Sequence, residues 1–144
     1  MNVEKVKSDL DLGRKIFESI PTHLRPAWGA SLLMVFSERL STPTEIQELL
    51  NIVDNERNWK DAHQQFSKIR TFGLKDKKFQ PESYLLLGEN VAKITYNASG
   101  QPAPFDHDAG WWIPGLAITT ADYFKSDEGI DEVVRILKIH FKEL

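Results

Sequence analysis

Apolar positions recur at helical spacing through the first half of the chain, and the texture changes after Pro81. Leu12, Ile16, Phe17 and Ile20 share one face of a 3.6-residue period, with Ser8 and Asp11 at capping-box spacing before them. Gly13 inside that run weakens a helix by about 1 kcal/mol relative to Ala, and Pro21 ends it. Pro26 suits the first turn of a second helix. Ala27, Trp28, Leu32, Leu33, Met34, Val35, Phe36 and Leu40 cover nearly all its sides, which predicts a central position. Thr42-Pro43-Thr44-Glu45 reads as a Thr cap with Pro at N1 and Glu at N3. Ile46, Leu49, Leu50 and Val53 then form one face. After a break at 55–58, Trp59, Ala62, Phe66 and Ile69 resume it, and Gly73 is expected to stop the helix.

Beyond Pro81 the runs are short. SYLLLG (83–88) is continuously apolar, and VAKITY (91–96) alternates, with Ala92, Ile94 and Tyr96 to one side; both read as strands. Residues 97–100 (NASG) have turn composition. In QPAPF (101–105), Pro102 and Pro104 turn their missing N–H groups to the same edge, so this segment is an edge strand or a polyproline-like strap. Residues 106–110 then turn the chain, and Trp111-Trp112-Ile113 starts a further strand. A last helix is capped by Ser126 or Asp127 and buries Ile130, Val133, Val134, Leu137 and Phe141. The expected fold class is α+β over a single domain, 1–144: an N-terminal bundle of about four helices, a small antiparallel β-meander over roughly 84–113, and a C-terminal amphipathic helix packed on it.

Composition narrows the function classes. The 144 residues are 41% hydrophobic and 27% charged, ordinary for a globular protein. A net charge of −3 argues against general nucleic-acid binding. The chain has no Cys, which removes disulfides, thiol nucleophiles and thiolate zinc sites and fits a reducing cytosol. MNVEKVKSDLDLG does not resemble a secretory signal, and the longest apolar run, 27–36, is far short of the roughly 20 residues of a membrane span. A cytoplasmic location with no membrane partner is expected. The basic stretch from Lys68 to Lys78 falls at a helix C-terminus, where cations are favoured.

Candidate chemistry concentrates in QPAPFDHDAGWWIPG, 101–115. Asp106-His107-Asp108 suggests a tuned imidazole or a metal site, but in an extended chain 106 and 108 point away from 107. The triplet matches no ligand spacing for calcium or zinc, and turn-forming carboxylates are the simpler account. His23, His63 and His140 lie in other elements, and nucleophile-elbow, Walker A, dinucleotide and zincin motifs are absent, so no cofactor is implied. Trp111 and Trp112 would face opposite sides of a strand, which leaves one Trp beyond the core. Phe105, Asp106, His107, Asp108, Trp111 and Trp112 are therefore the expected binding residues. The expected role is a small bacterial-type interaction protein that binds a protein partner, as an immunity or antitoxin protein neutralises its target. Two alternatives follow from the same residues. One is a metal-dependent or acid–base enzyme centred on His107 with Asp106 or Asp108; the other is a ligand or carbohydrate binder with a Trp platform.

Overall fold

Eight α-helices and three short 3₁₀ turns make up residues 2–143, the part of the chain that the computed structural model describes. Helix accounts for 73%, and no strand occurs among the described residues. The helices are α1 (Val3–Ser8), α2 (Leu10–Glu18), α3 (Arg25–Met34), α4 (Thr44–Val53), α5 (Ala62–Lys75), α6 (Glu82–Ala98), α7 (Ile113–Tyr123) and α8 (Asp127–Leu137). The 3₁₀ turns are Thr22–Leu24, Glu56–Asp61 and His107–Trp112.

The expected α+β class and the β-meander over 84–113 are thus overturned. SYLLLG and VAKITY are consecutive pieces of one helix, α6. Its buried residues form two adjacent stripes, Tyr84, Leu87, Val91 and Ile94 beside Leu85, Gly88, Ala92 and Thr95. Each stripe runs at 3- and 4-residue intervals, the helical signature. A helix buried on a wide front has few polar positions to mark its period, so short windows of it imitate buried or alternating strands. Gly88, read as a strand end, lies inside the helix where the Ile46 side chain rests on its backbone. The strand expected at 111–113 is instead a 3₁₀ turn running into α7, with Pro114 in the first turn as Pro26 is in α3.

The other helices pack around α6. It contacts α3, α4, α5, α7 and the turns at 56–61 and 107–112. Gly29 of α3 faces Val91 and Ile94 so closely that an added Cβ would lie 2.9 Å from Val91 Cγ2. α1 and α2 rest on α7, and α8 closes the far side against α7 and α3. Several buried polar side chains are satisfied by backbone carbonyls, whereas Trp28 Nε1 and Tyr84 Oη have no hydrogen-bond partner among the described residues. Gln65 Nε2 donates to Glu45 O (2.7 Å), Trp59 Nε1 to Val53 O (2.9 Å), and Thr95 Oγ1 to Val91 O (2.7 Å). None of the described helices is long and apolar enough to cross a membrane.

Local signals moved by a residue or two. Asp9, not Ser8, caps α2 by accepting from Asp11 and Leu12 N–H, while Ser8 donates to Glu4 O. α4 starts at Thr44 with Pro43 in the cap position, and α5 runs through Gly73 to Lys75. The C-terminal helix is capped as expected, with Ser126 Oγ accepting from Gly129 N–H at 3.1 Å and Val133 and Leu137 buried beside Ile130 and Val134, but it ends at Leu137 and Phe141 packs from beyond its end.

Gly13 is a docking position rather than a flaw. α2 lies against the 107–112 turn so closely that a Cβ on Gly13 would overlap the Trp111 carbonyl oxygen, a backbone atom that cannot swing aside. Gly13→Ala gains about 1 kcal/mol of helix propensity but forces the turn off the helix, an overpacking cost of about 1–3 kcal/mol or more. The expected net result in urea denaturation is a loss of up to about 2 kcal/mol. Higher stability than wild type would show that α2 and the turn are not in such contact.

Candidate binding face

The segment 99–112 returns over the last turns of α6, and α6 itself holds it down. Asn97 clamps both backbone polar groups of Phe105: Oδ1 accepts from Phe105 N–H at 2.8 Å and Nδ2 donates to Phe105 O at 3.1 Å. Tyr96 Oη donates to Pro102 O at 3.1 Å. Gly100 takes φ +73°, and Ala103 takes φ +56°, a left-handed conformation that costs a non-glycine residue about 1 kcal/mol. The segment takes neither expected form: it pairs with no strand among the described residues, and the left-handed Ala103 interrupts a polyproline run, leaving an irregular strap.

Phe105 is the anchor of this strap. Its ring stacks on His63 of α5 (4.9 Å between centroids, 22° between planes) and meets Phe66 and Tyr96 edge-on at 5.2 and 5.6 Å. Lys93 Nζ sits 4.9 Å from the Phe66 centroid, adding a cation–π contact. Phe105, one of the expected binding residues, is half-buried and spends much of its ring on these contacts.

Asp106 precedes the 3₁₀ turn, and its carbonyl, not its carboxylate, accepts from Ala109 N–H at 3.2 Å. Neither Asp106 nor Asp108 bonds a backbone N–H through its side chain among the described residues, contrary to the simple turn-forming account of them. His107 is exposed, with its ring edge-on to Trp111 at 5.6 Å. No three His, Asp or Glu side chains gather as a metal site would require among the described residues. Successive residues in a 3₁₀ turn step by about 120°, so the two tryptophans diverge without being opposed. Trp111 packs half-buried on the core, and Trp112 is 52% exposed.

Two concavities lie beside this face. A groove of about 610 Å³ runs along α5 and α6, where Arg70, Lys77 and Lys93 mix with Glu82 and Glu89 around Leu74 and Leu86. A smaller cavity of about 220 Å³ opens between the strap and the start of α3, lined by Phe17, Thr22, Arg25, Ile94, Phe105 and His107 among others. Burial holds the Arg25 guanidinium below its ordinary pKa, opposed by the field of Glu18. Arg25 was not among the expected residues, because nothing in a linear reading brings position 25 to position 107. The one usable signal was its place just before Pro26, at a helix start where a cation is electrostatically unfavourable.

Neither the sequence nor the fold matches a protein-family model, a curated protein or a solved structure. What the chain defines by itself is an all-helical bundle whose surface strap is locked from beneath and presents an exposed indole.

Glu89 gives this surface a pH dependence. Burial in the groove pushes its carboxyl above the ordinary Glu value, and Arg70 and Lys93 only partly oppose the shift. A raised folded-state pKa means the stability present at low pH is lost as pH climbs through that value. Glu89→Gln should therefore raise Tm at pH 7 by about 1–3 °C, modest because the groove is open to solvent. The advantage should fade as pH drops below the ordinary Glu range. A Tm difference that does not vary with pH, or a lower Tm at pH 7, would contradict this account.

Proposed function

We propose that this protein acts by binding a protein partner, with Trp112 as the central contact. The observation that carries the reading is the 52% exposure of Trp112 on a turn whose own backbone is fixed by the Asn97 clamp, the buried Ala109 and Gly110, and the α2 contact. Trp on a rigid support loses little entropy on binding and dominates interface energetics when it fills a pocket. Asp106 and Asp108, at the start of the same turn, carry carboxylates that make no ion pair among the described residues. The complementary partner surface is an apolar pocket rimmed by Lys or Arg. A small acidic chain that occupies such a pocket would act as a neutralising partner in the manner of immunity or antitoxin proteins, in the cytoplasm of a bacterial cell.

The test compares wild type, Trp112→Ala and Tyr123→Ala as immobilised bait, followed by affinity measurement with the purified captured protein. Tyr123 is equally exposed at 52% but lies at the far end of α7. Trp112→Ala should weaken binding at least about 30-fold, the effect of losing a central hot spot, while Tyr123→Ala leaves it within about threefold. A partner retained equally by Trp112→Ala, or no specific partner at all, would sink the reading. A saturable Trp fluorescence response to a glycan panel in the absence of a protein partner would replace it with the Trp-platform alternative.

A further inference from the structure

The smaller cavity holds a cation prepared for a ligand. Arg25 opens α3, and its Nε donates to Ile20 O at 3.0 Å. Its guanidinium carbon lies 4.2 Å from the centroid of the Phe17 ring, so the plane is fixed from two directions. No carboxylate pairs with it among the described residues. Glu18, whose field reaches it, instead pairs with Arg14 at 3.2 Å. The terminal nitrogens of Arg25 have no protein acceptor among the described residues, and Thr22, Asn97 and His107 are the other polar residues that line the cavity. Phe17, Ile94, Ala98, Pro104 and Phe105 make most of the remaining wall apolar.

We propose that this cavity is a binding site for a carboxylate carried on a short apolar stem, with the Arg25 fork as the bidentate donor. A planar guanidinium with both terminal nitrogens free matches the two oxygens of a carboxylate. Because its Nε bond and the Phe17 ring already hold the side chain, little rotamer entropy is lost on binding. Burial without an anion disfavours the charged form of Arg25, and a bound carboxylate relieves that penalty. A phosphate dianion is a poorer match: the lining offers no Lys and no second Arg, and Glu18 adds a repelling field. With about 30 Å³ per water, a 220 Å³ cavity holds about seven waters, the size of a ligand of under about ten non-hydrogen atoms. The carboxylate could belong to a free small acid or to a Glu side chain, and the site is independent of the Trp112 contact.

Titration of ¹⁵N-labelled protein with sodium benzoate, read at the Arg25 Nε–H signal and the Phe105 and His107 amides, tests this directly. Benzoate should give saturable shifts there with a Kd on the order of 1 mM. Benzamide, the uncharged isostere, should bind at least about tenfold more weakly in the wild-type protein, a comparison that needs no variant. Arg25→Met should abolish the benzoate shifts, Arg25→Lys should retain only a fraction of the affinity, and Trp112→Ala should leave them unchanged. Acetyl-Gly-Glu-Gly-amide distinguishes the sources: tighter binding than benzoate assigns the site to an acidic side chain, weaker binding to a free acid, and either supports a carboxylate site. Equal response to benzoate and benzamide, binding that survives Arg25→Met, tighter binding of inorganic phosphate, or no saturable shift would each overturn the proposal.

Discussion

The close approach of other helices to α6 is the constraint on which the rest depends. A helix touched along most of its sides must offer backbone as well as side chains, because large residues on every face would hold its neighbours too far apart to share one core. α6 meets this need with Gly88, whose backbone receives the Ile46 side chain from α4, and α3 meets it with Gly29 opposite Val91 and Ile94. Ile69 of α5 reaches the same spot near Gly88. Three helices thus converge on about two turns of α6. A Cβ at Gly88 would overlap the Ile46 side chain, so its missing side chain allows the packing to be tight.

The candidate face is an outgrowth of that post. The chain leaves α6 at Ala98 and doubles back, and the residues that restrain it, Tyr96 and Asn97, belong to the last turns of the helix it has just left. Phe105 then bridges to α5 through His63 and Phe66, and the 107–112 turn bridges to α2 at Gly13 and through Gly110, which lies under the Phe17 ring. Three helices therefore fix about a dozen residues that belong to no α-helix and pair with no strand. The left-handed Ala103 between two prolines shows that this closure is imposed: local preference alone would place the residue before Pro104 in an extended conformation.

The amphipathic helices were legible in the sequence because each has a polar side. Val133, Leu137 and their neighbours in α8, and Ile46, Leu49 and Val53 in α4, show their period against intervening charges. α6 was not legible for the opposite reason, since nearly half its positions are buried and its period is written mostly in which apolar residue is large. Dividing it into two strands leads to the α+β class, and reading 111–113 as a further strand hides the first-turn Pro114 of α7, which matches Pro26 of α3. At the site, the Pro-rich strap and the spare Trp were visible from composition and spacing. The Asn97 clamp, the role of Phe105 as anchor and the arrival of Arg25 were not. Each depends on a tertiary contact that no local pattern encodes.

The 3₁₀ geometry of 107–112 changes what the tryptophan pair means. In a strand, consecutive residues divide cleanly between two faces, and one Trp would be buried and the other fully displayed. With steps of about 120°, three consecutive directions are available from one short turn. Here His107 reaches the Arg25 cavity, Trp111 closes over the core edge beside it, and Trp112 points to solvent. The same six residues thus border a cavity through one side chain and carry an apolar projection through another. Because both are carried on one turn docked by backbone at Gly13, a shift of that turn would displace both together, whereas truncating either side chain would leave the other in place.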